Sequence, residues 1–175
     1  ITTSMRLFVG VHVTHGGMLP MAIQAVTRAV MPGPYVLDGP PTHAFVVAAN
    51  PDGYSYRIDA EFPFATITPW VPSPPAPSML WALDVVDLRP AWACALEHVG
   101  RPYDPPEMLA QAIHAPNGRN AIALSGMIPG ADICTGLVMD VLASGGRLLD
   151  VPDKLPERIA RALDAAPWAK RITLP

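Results

Sequence analysis

The chain has 175 residues, a formal net charge of -3 and a pI of about 5.9; half of its residues are hydrophobic and 15% are charged. This balance gives no electrostatic basis for binding nucleic acid, and no apolar run reaches the roughly 18 residues that a membrane-spanning helix needs. The length predicts one domain over residues 1–175 with a sizeable core.

The two cysteines, Cys94 and Cys134, form neither a disulfide framework nor a CxxC metal pair. They are therefore expected to be free thiols in a reducing compartment. The first residues, "ITTSMRLFVGVHV", lack the basic region and the small-residue cleavage site of a secretory signal. A cytoplasmic location is favoured on that ground, and the compartment is otherwise left open.

The first elements are a strand and a helix. "RLFVGVHV" (6–13) is β-branched and apolar, which is typical of a strand. Apolar residues then recur at steps of four, three and four, as one face of a helix requires, at Leu19, Ile23, Val26 and Val30. Pro20 fits the first turn of that helix.

A hairpin is predicted next, from residues 42–50 and 54–62. The second strand alternates strictly between apolar and polar residues, and "NPDG" (50–53) suits a tight turn. If Asn50 pairs with Tyr54, His43 lies opposite Glu61, with Asp59 as its diagonal neighbour on the same face.

The middle of the chain is dominated by proline. "PFATITPWVPSPPAPS" (63–78) holds six prolines, which predicts an extended surface loop. A strand (79–88) and a short helix (89–100) are expected to follow. Residues 104–115 add a helical turn or two, and 115–133 have no regular pattern.

Two helices are predicted near the end of the chain. One begins at Cys134 and buries a stripe of residues, namely Cys134, Leu137, Val138, Val141 and Leu142. Asp132 is a plausible N-cap or neighbour of that cap. The other helix spans 152–163. No internal repeat and no second domain is recognisable.

Cys134 is the first candidate for chemistry. At a helix N-terminus, the macrodipole and the free backbone N–H groups favour a thiolate. The same N–H groups can stabilise an oxyanion in acyl transfer. The alternative is a small apolar core residue, because free cysteine is among the most buried residue types.

His43 is the candidate base. The predicted register places Asp59 and Glu61 beside it, and a thiol nucleophile needs an imidazole oriented by an acid. The alternative is a solvated strand edge in which these carboxylates pair with Arg57.

The remaining histidines are weaker candidates. His12 and His15 have HxxH spacing, but on a strand end, so a shared metal ion is not expected. His98 lies four residues after Cys94 in a helix, a pair that is either reactive or simply packed. His114 falls in a loop. No metal and no cofactor is predicted, since phosphate-binding and serine-hydrolase motifs are absent.

Several short motifs resemble one family in order and spacing over roughly residues 40–160. They are "PTHAFVV", "YRIDA", "HVGRPYD", "ICTGLVMDVLASGG" and "VPDKLPERI". This order resembles the circularly permuted NlpC/P60 papain-like cysteine hydrolases, the YiiX-like group. The resemblance implies an α+β fold in which a small antiparallel sheet packs on helices. Thr135, where the family usually has serine, and the Pro-rich loop depart from its pattern.

The resemblance also implies roles for single residues. Cys134 would be the nucleophile and His43 the general base. Asp59 would be the orienting acid, with Glu61 in reserve because the family more often has glutamate there. Tyr103 would lie near the nucleophile and assist the oxyanion.

The function expected from these roles is that of a cysteine hydrolase or acyltransferase, such as a peptidase, an amidase or an acyl hydrolase. Its substrate would be a small molecule, a peptide or an acyl compound with an amide, thioester or ester bond. The alternative is a non-catalytic interaction or assembly protein on the same fold, which contacts a protein partner through the Pro-rich loop at 63–78.

Overall fold

A computed structural model describes residues 5–14, 16–50, 53–71, 78–104, 133–151 and 154–172. Within these ranges the fold is α+β, with four helices and one six-stranded antiparallel sheet. The strands are β1 (Arg6–His12), β2 (His43–Ala49), β3 (Ser55–Ala60), β4 (Ala65–Pro69), β5 (Ser78–Leu83) and β6 (Ala169–Ile172). The helices are α1 (Met18–Val30), α2 (Leu88–His98), α3 (Cys134–Ser144) and α4 (Pro156–Ala165).

The strand order is β4-β3-β2-β1-β5-β6. The predicted hairpin of β2 and β3 is confirmed: Ala49 pairs with Ser55, and the Asn50 N–H donates to the Tyr54 carbonyl at 2.7 Å. This register carries His43 to the same end of the sheet as Asp59. On the other side of β2, His12 pairs directly with His43.

The main core lies between one face of the sheet and the helices. Alternate residues of the central strands point into it, as the two-residue period of a strand requires. The stripe predicted for α3 is confirmed, since all five of its residues are buried. Because α3 packs across β2, its first residue comes to the end of the sheet where β2 begins.

The opposite face of the sheet carries a smaller apolar cluster around Phe45, Val47 and Leu80. Gly10 allows this arrangement: a Cβ at residue 10 would overlap the Phe45 ring. The Phe45 ring therefore approaches the backbone of β1 at Gly10, and Arg57 of β3 lies over the same ring. His43 and Phe45 share this face, with their rings nearly parallel.

The Pro-rich segment needs correction. The prediction of an extended loop over 63–78 is wrong at Ala65–Pro69, which forms β4 at one edge of the sheet, and at Ser78, where β5 begins. Proline is tolerated there because an edge strand uses only one of its hydrogen-bonding sides. The strand β6 was not predicted at all. Residues 72–77, like the helical turns and irregular segment predicted between 105 and 132, lie outside the described residues.

Candidate functional site

His43 and Asp59 come together at the end of the β2–β3 hairpin. The His43 Nε2–H donates to Asp59 Oδ1 at 2.8 Å, while Glu61 Oε1 lies 3.5 Å from the same nitrogen. The side chain of Asp59 is 9% exposed, whereas that of Glu61 is 54% exposed. Of the two carboxylates that the sequence left open, Asp59 therefore holds the shorter and better protected bond.

Cys134 reaches the same histidine from α3. Its side chain hydrogen-bonds to the His43 ring. Because the Nε2 edge of that ring faces the carboxylates, Nδ1 is the nitrogen available to the sulfur. Cys134 begins α3, where Ile133 is the N-cap and no side chain caps the first turn. Of the two roles suggested for Asp132, the N-cap itself belongs to Ile133, and Asp132 is the residue before it in the sequence and lies outside the described residues.

The electrostatics of the site keep His43 protonated. Burial lowers the pKa of His43, but the charge of Cys134 and the hydrogen bonds to Asp59 and Cys134 outweigh burial and raise it to about 10. For Asp59, burial raises the pKa, yet the contacts with His43 and Arg57 prevail and hold it below the usual value. At neutral pH the pair is therefore an imidazolium and a carboxylate.

Arg57 closes the site behind Asp59. Its Nη2 donates to Asp59 Oδ1 at 2.7 Å, and its Nε lies 2.6 Å from Oδ2. Its Nη2 also lies 3.3 Å from His12 Nδ1. The sequence suggested at most a solvated ion pair here, whereas in the structure the guanidinium is half-buried over the Phe45 ring. Sequence reasoning therefore missed Arg57 as part of the site, and its only signal was the R-x-D spacing on one strand face.

A pocket of about 230 Å³ opens beside His43. Residues from α1, from the ends of β2 and β3 and from the following loops line it: Thr14, Leu19, Pro20, Ile23, Thr42, His43, Ala60, Glu61, Phe62 and Tyr103. Tyr103 is buried and lines the same pocket as His43, and its predicted place beside the nucleophile stays a prediction. Cys134 is 1% exposed and is not among the residues that line this pocket.

Metal binding fits the site poorly. Ligand atoms of His43, Asp59 and Glu61 lie within 4.8 Å of one another, but Asp59 already faces the guanidinium of Arg57. A cation there would be repelled by this fixed positive charge. Both ring nitrogens of His12 have partners, and His15, its HxxH neighbour in the sequence, lies outside the described residues.

Thr135, next to Cys134, is fully buried, and its hydroxyl has no hydrogen-bond partner among the described residues. The second Cys–His pair predicted on α2 also exists: Cys94 Sγ lies 3.8 Å from His98 Nε2. His114 is outside the described residues.

No protein-family model, curated protein or solved structure matches this chain. Among the described helices, none combines the length and the apolar character needed to cross a membrane.

Proposed function

We propose that this protein is a cysteine hydrolase or acyltransferase that acts on an amide, thioester or ester bond through Cys134, His43 and Asp59. The observation that carries the proposal is the position of His43, which hydrogen-bonds to the Cys134 side chain and to Asp59 Oδ1, the latter at 2.8 Å. A thiol, an imidazole and an oriented acid are the parts that a cysteine nucleophile requires.

The reaction follows from these positions. Cys134 reacts as a thiolate whose proton is held on His43, and its sulfur attacks the carbonyl carbon of the substrate. As the tetrahedral intermediate collapses, the bond to the leaving group breaks, and His43 returns its proton to that group. A water molecule or another acceptor then gives a proton to His43 and attacks the acyl-enzyme, which releases the acyl product and restores the Cys134 thiolate beside the protonated His43.

The start of α3 supplies stabilisation for the oxyanion. The backbone N–H of Cys134 lies in the first turn, where helix N–H groups have no partner within the helix. We propose the hydroxyl of Tyr103 as a second donor. Donors of this kind contribute about 3 kcal/mol each to the transition state, so losing Tyr103 slows turnover without abolishing it.

We extend the proposal to a permuted papain-like fold of the NlpC/P60 type. It is supported by the resemblance of the short motifs, by the antiparallel sheet, and by the chain order of histidine, acid and cysteine. The order of the three residues along the chain is irrelevant to their chemistry, which depends on geometry alone.

The burial of Cys134 favours a second candidate function. A thiol that is 1% exposed meets the needs of a packed core as well as those of a nucleophile. In that case the protein is a non-catalytic interaction or assembly protein. Its contact segment would be the Pro-rich residues 63–78, of which β4 forms a sheet edge with an exposed Ile67.

The test is a panel of simple p-nitrophenyl esters, thioesters and peptide amides, read by product release and by intact mass spectrometry of the protein. We expect an acyl adduct on Cys134 and turnover of at least one class. Cys134→Ala should lose both, and Cys94→Ala, the matched control, should keep both. If wild-type protein forms no adduct with any of the compounds, the interaction protein is the better assignment.

A further inference from the structure

The Arg57 side chain contacts three other side chains, namely Asp59, Phe45 and His12. Two of its nitrogens face the two oxygens of Asp59, at 2.6 and 2.7 Å. Its guanidinium carbon lies 3.9 Å from the centre of the Phe45 ring. Its Nη2 is also 3.3 Å from His12 Nδ1. Three strands, β1, β2 and β3, therefore fix this one side chain.

His12 contributes as a neutral acceptor. Arginine can only donate, so the Nδ1 atom that faces Arg57 must lack a proton, and the proton of His12 lies on Nε2, toward Thr14 Oγ1 at 3.1 Å. Burial, the adjacent His43 and Arg57 lower the pKa of His12 to about 3, although Asp59 acts in the other direction. His12 thus accepts from the guanidinium throughout the neutral range.

From these contacts we propose that Arg57 is a positioning residue, which locks the Asp59 carboxylate in the plane that meets His43 and so selects Asp59 over Glu61 as the orienting acid. This inference rests on the proposed function. The guanidinium does not touch the reacting atoms. It acts through Asp59, whose oxygen Oδ1 it shares with His43.

The geometry explains why an arginine suits this position. A guanidinium is planar and always charged. Its Nη2 hydrogen-bonds to Oδ1 of Asp59, while its Nε makes no hydrogen bond and faces Oδ2 as an ion pair at 2.6 Å. Without it, Oδ2 of a buried carboxylate would lose its charged neighbour, and the carboxylate could rotate away from His43. Glu61 has no such clamp: its only ion pair among the described residues is the longer contact with His43.

The test must separate a role through Asp59 from a loss of structure. Charged and titratable groups surround Arg57, Asp59 and His43 from every neighbouring element: His12 on β1 acts on Arg57, and Glu61 after β3 and Cys134 on α3 act on His43 of β2. Because all of them contribute to a pH profile, the design is a double-mutant cycle in the full chain. Its variants are Arg57→Met, Asp59→Asn and the two combined.

The probe is iodoacetamide, and the readout is the alkylation rate of Cys134 between pH 5 and 9, measured by peptide mass spectrometry with Cys94 as the internal reference. Arg57→Met keeps an apolar stem over Phe45 and should slow alkylation about tenfold at pH 6, the size expected for one charged hydrogen bond. The loss should shrink at higher pH, since Asp59 without the guanidinium protonates more readily. In the Asp59→Asn background, Arg57→Met should cause no further loss.

Two control variants separate a positioning role of Arg57 from other effects of replacing an arginine. Arg57→Lys keeps the charge without the fork and should give an intermediate rate, which also covers the case in which Arg57→Met fails to fold. Arg89→Met removes an exposed arginine 4.0 Å from Asp87 and should leave the rate unchanged. If Arg57→Met slowed the alkylation of Cys134 equally in the wild-type and the Asp59→Asn backgrounds, the positioning role would be overturned and the proposed function would stand. A wild-type Cys134 that reacts no faster than Cys94 would overturn both this role and the proposed function.

Discussion

Cys134 and Cys94 each lie beside a histidine and a carboxylate, yet the two clusters are built differently. His98 turns the same nitrogen, Nε2, toward Cys94 Sγ at 3.8 Å and toward Asp140 Oδ2 at 3.5 Å. His43 turns Nε2 toward Asp59 and keeps Nδ1 for Cys134. A base needs one nitrogen for the acid and the other for the thiol, so only the second arrangement can relay a proton.

The acids differ as much as the histidines do. The Asp140 side chain is 60% exposed, whereas Asp59 is buried and clamped by Arg57. The helix positions differ too: Cys134 opens α3, while Cys94 lies within α2. The comparison teaches that a cysteine, a histidine and an acid in proximity are not a catalytic site until the imidazole is oriented and the acid is held.

The largest expected difference between the clusters concerns their histidines. His43→Gln removes the proposed base and should lower kcat/KM by at least about 100-fold, the usual scale of general acid–base catalysis. His98→Gln should leave turnover per folded molecule unchanged, even if it lowers stability, because His98 is also buried. Both variants are measured on the best substrate of the panel. Equal losses in the two would mean that the clusters do not differ in function.

The acids should show a smaller contrast. Asp59→Asn removes a charged hydrogen bond to His43 and should slow turnover by about 10- to 100-fold. Asp140→Asn is the matched control and should have no effect on kcat/KM, and Glu61→Gln should have a smaller effect than Asp59→Asn. A loss in Glu61→Gln that exceeds the loss in Asp59→Asn would assign the orienting role to Glu61 instead.

The last expected effect concerns stability and not turnover. The pKa of His12 is lowered from 6.5 to about 3 by burial, with His43 and Arg57 adding to it. Between pH 6.5 and 3 the unfolded chain therefore binds a proton at His12 that the folded protein does not bind. The contribution of neutral His12 to the free energy of unfolding is fully present above pH 6.5 and is lost as pH falls toward 3. The slope is at most about 1.4 kcal/mol per pH unit. Urea unfolding between pH 4 and 7 should show it, and His12→Gln should flatten it. If the free energy of unfolding changed with pH equally in the wild type and in His12→Gln, the buried neutral state of His12 would be contradicted.

Local patterns were sufficient for the hairpin and for α3. The strict alternation of residues 54–62 and the turn at 50–53 fixed a register in which His43 meets Asp59, because a strand has a period of two. The apolar stripe from Cys134 has helical spacing, and its burial follows. These are the parts of the fold whose determinants are close together in the sequence.

The rest depends on contacts between distant segments. β4 could not be predicted from its own residues, because proline is acceptable in a strand only at the edge of a sheet. Which strand forms an edge depends on the order of all the strands. Arg57 stands at a polar position of the alternating strand pattern, which is typical of a solvent-facing residue. In the structure it is half-buried over Phe45, whose ring lies against Gly10, and it contacts the neutral His12 of β1. The meeting of His43 with Cys134 depends on how α3 packs across β2, which no local pattern specifies.

The most direct test is the protonation state of His43, followed by NMR of the labelled imidazole from pH 5 to 11 in wild-type protein and in Cys134→Ala. We predict that His43 stays an imidazolium up to about pH 10 in the wild type, and that its pKa falls when Cys134 is replaced, because the charge of the sulfur is gone. A pKa of His43 near the ordinary 6.5 in the wild type, or a pKa of His43 that is the same in the wild type and in Cys134→Ala, would contradict this prediction.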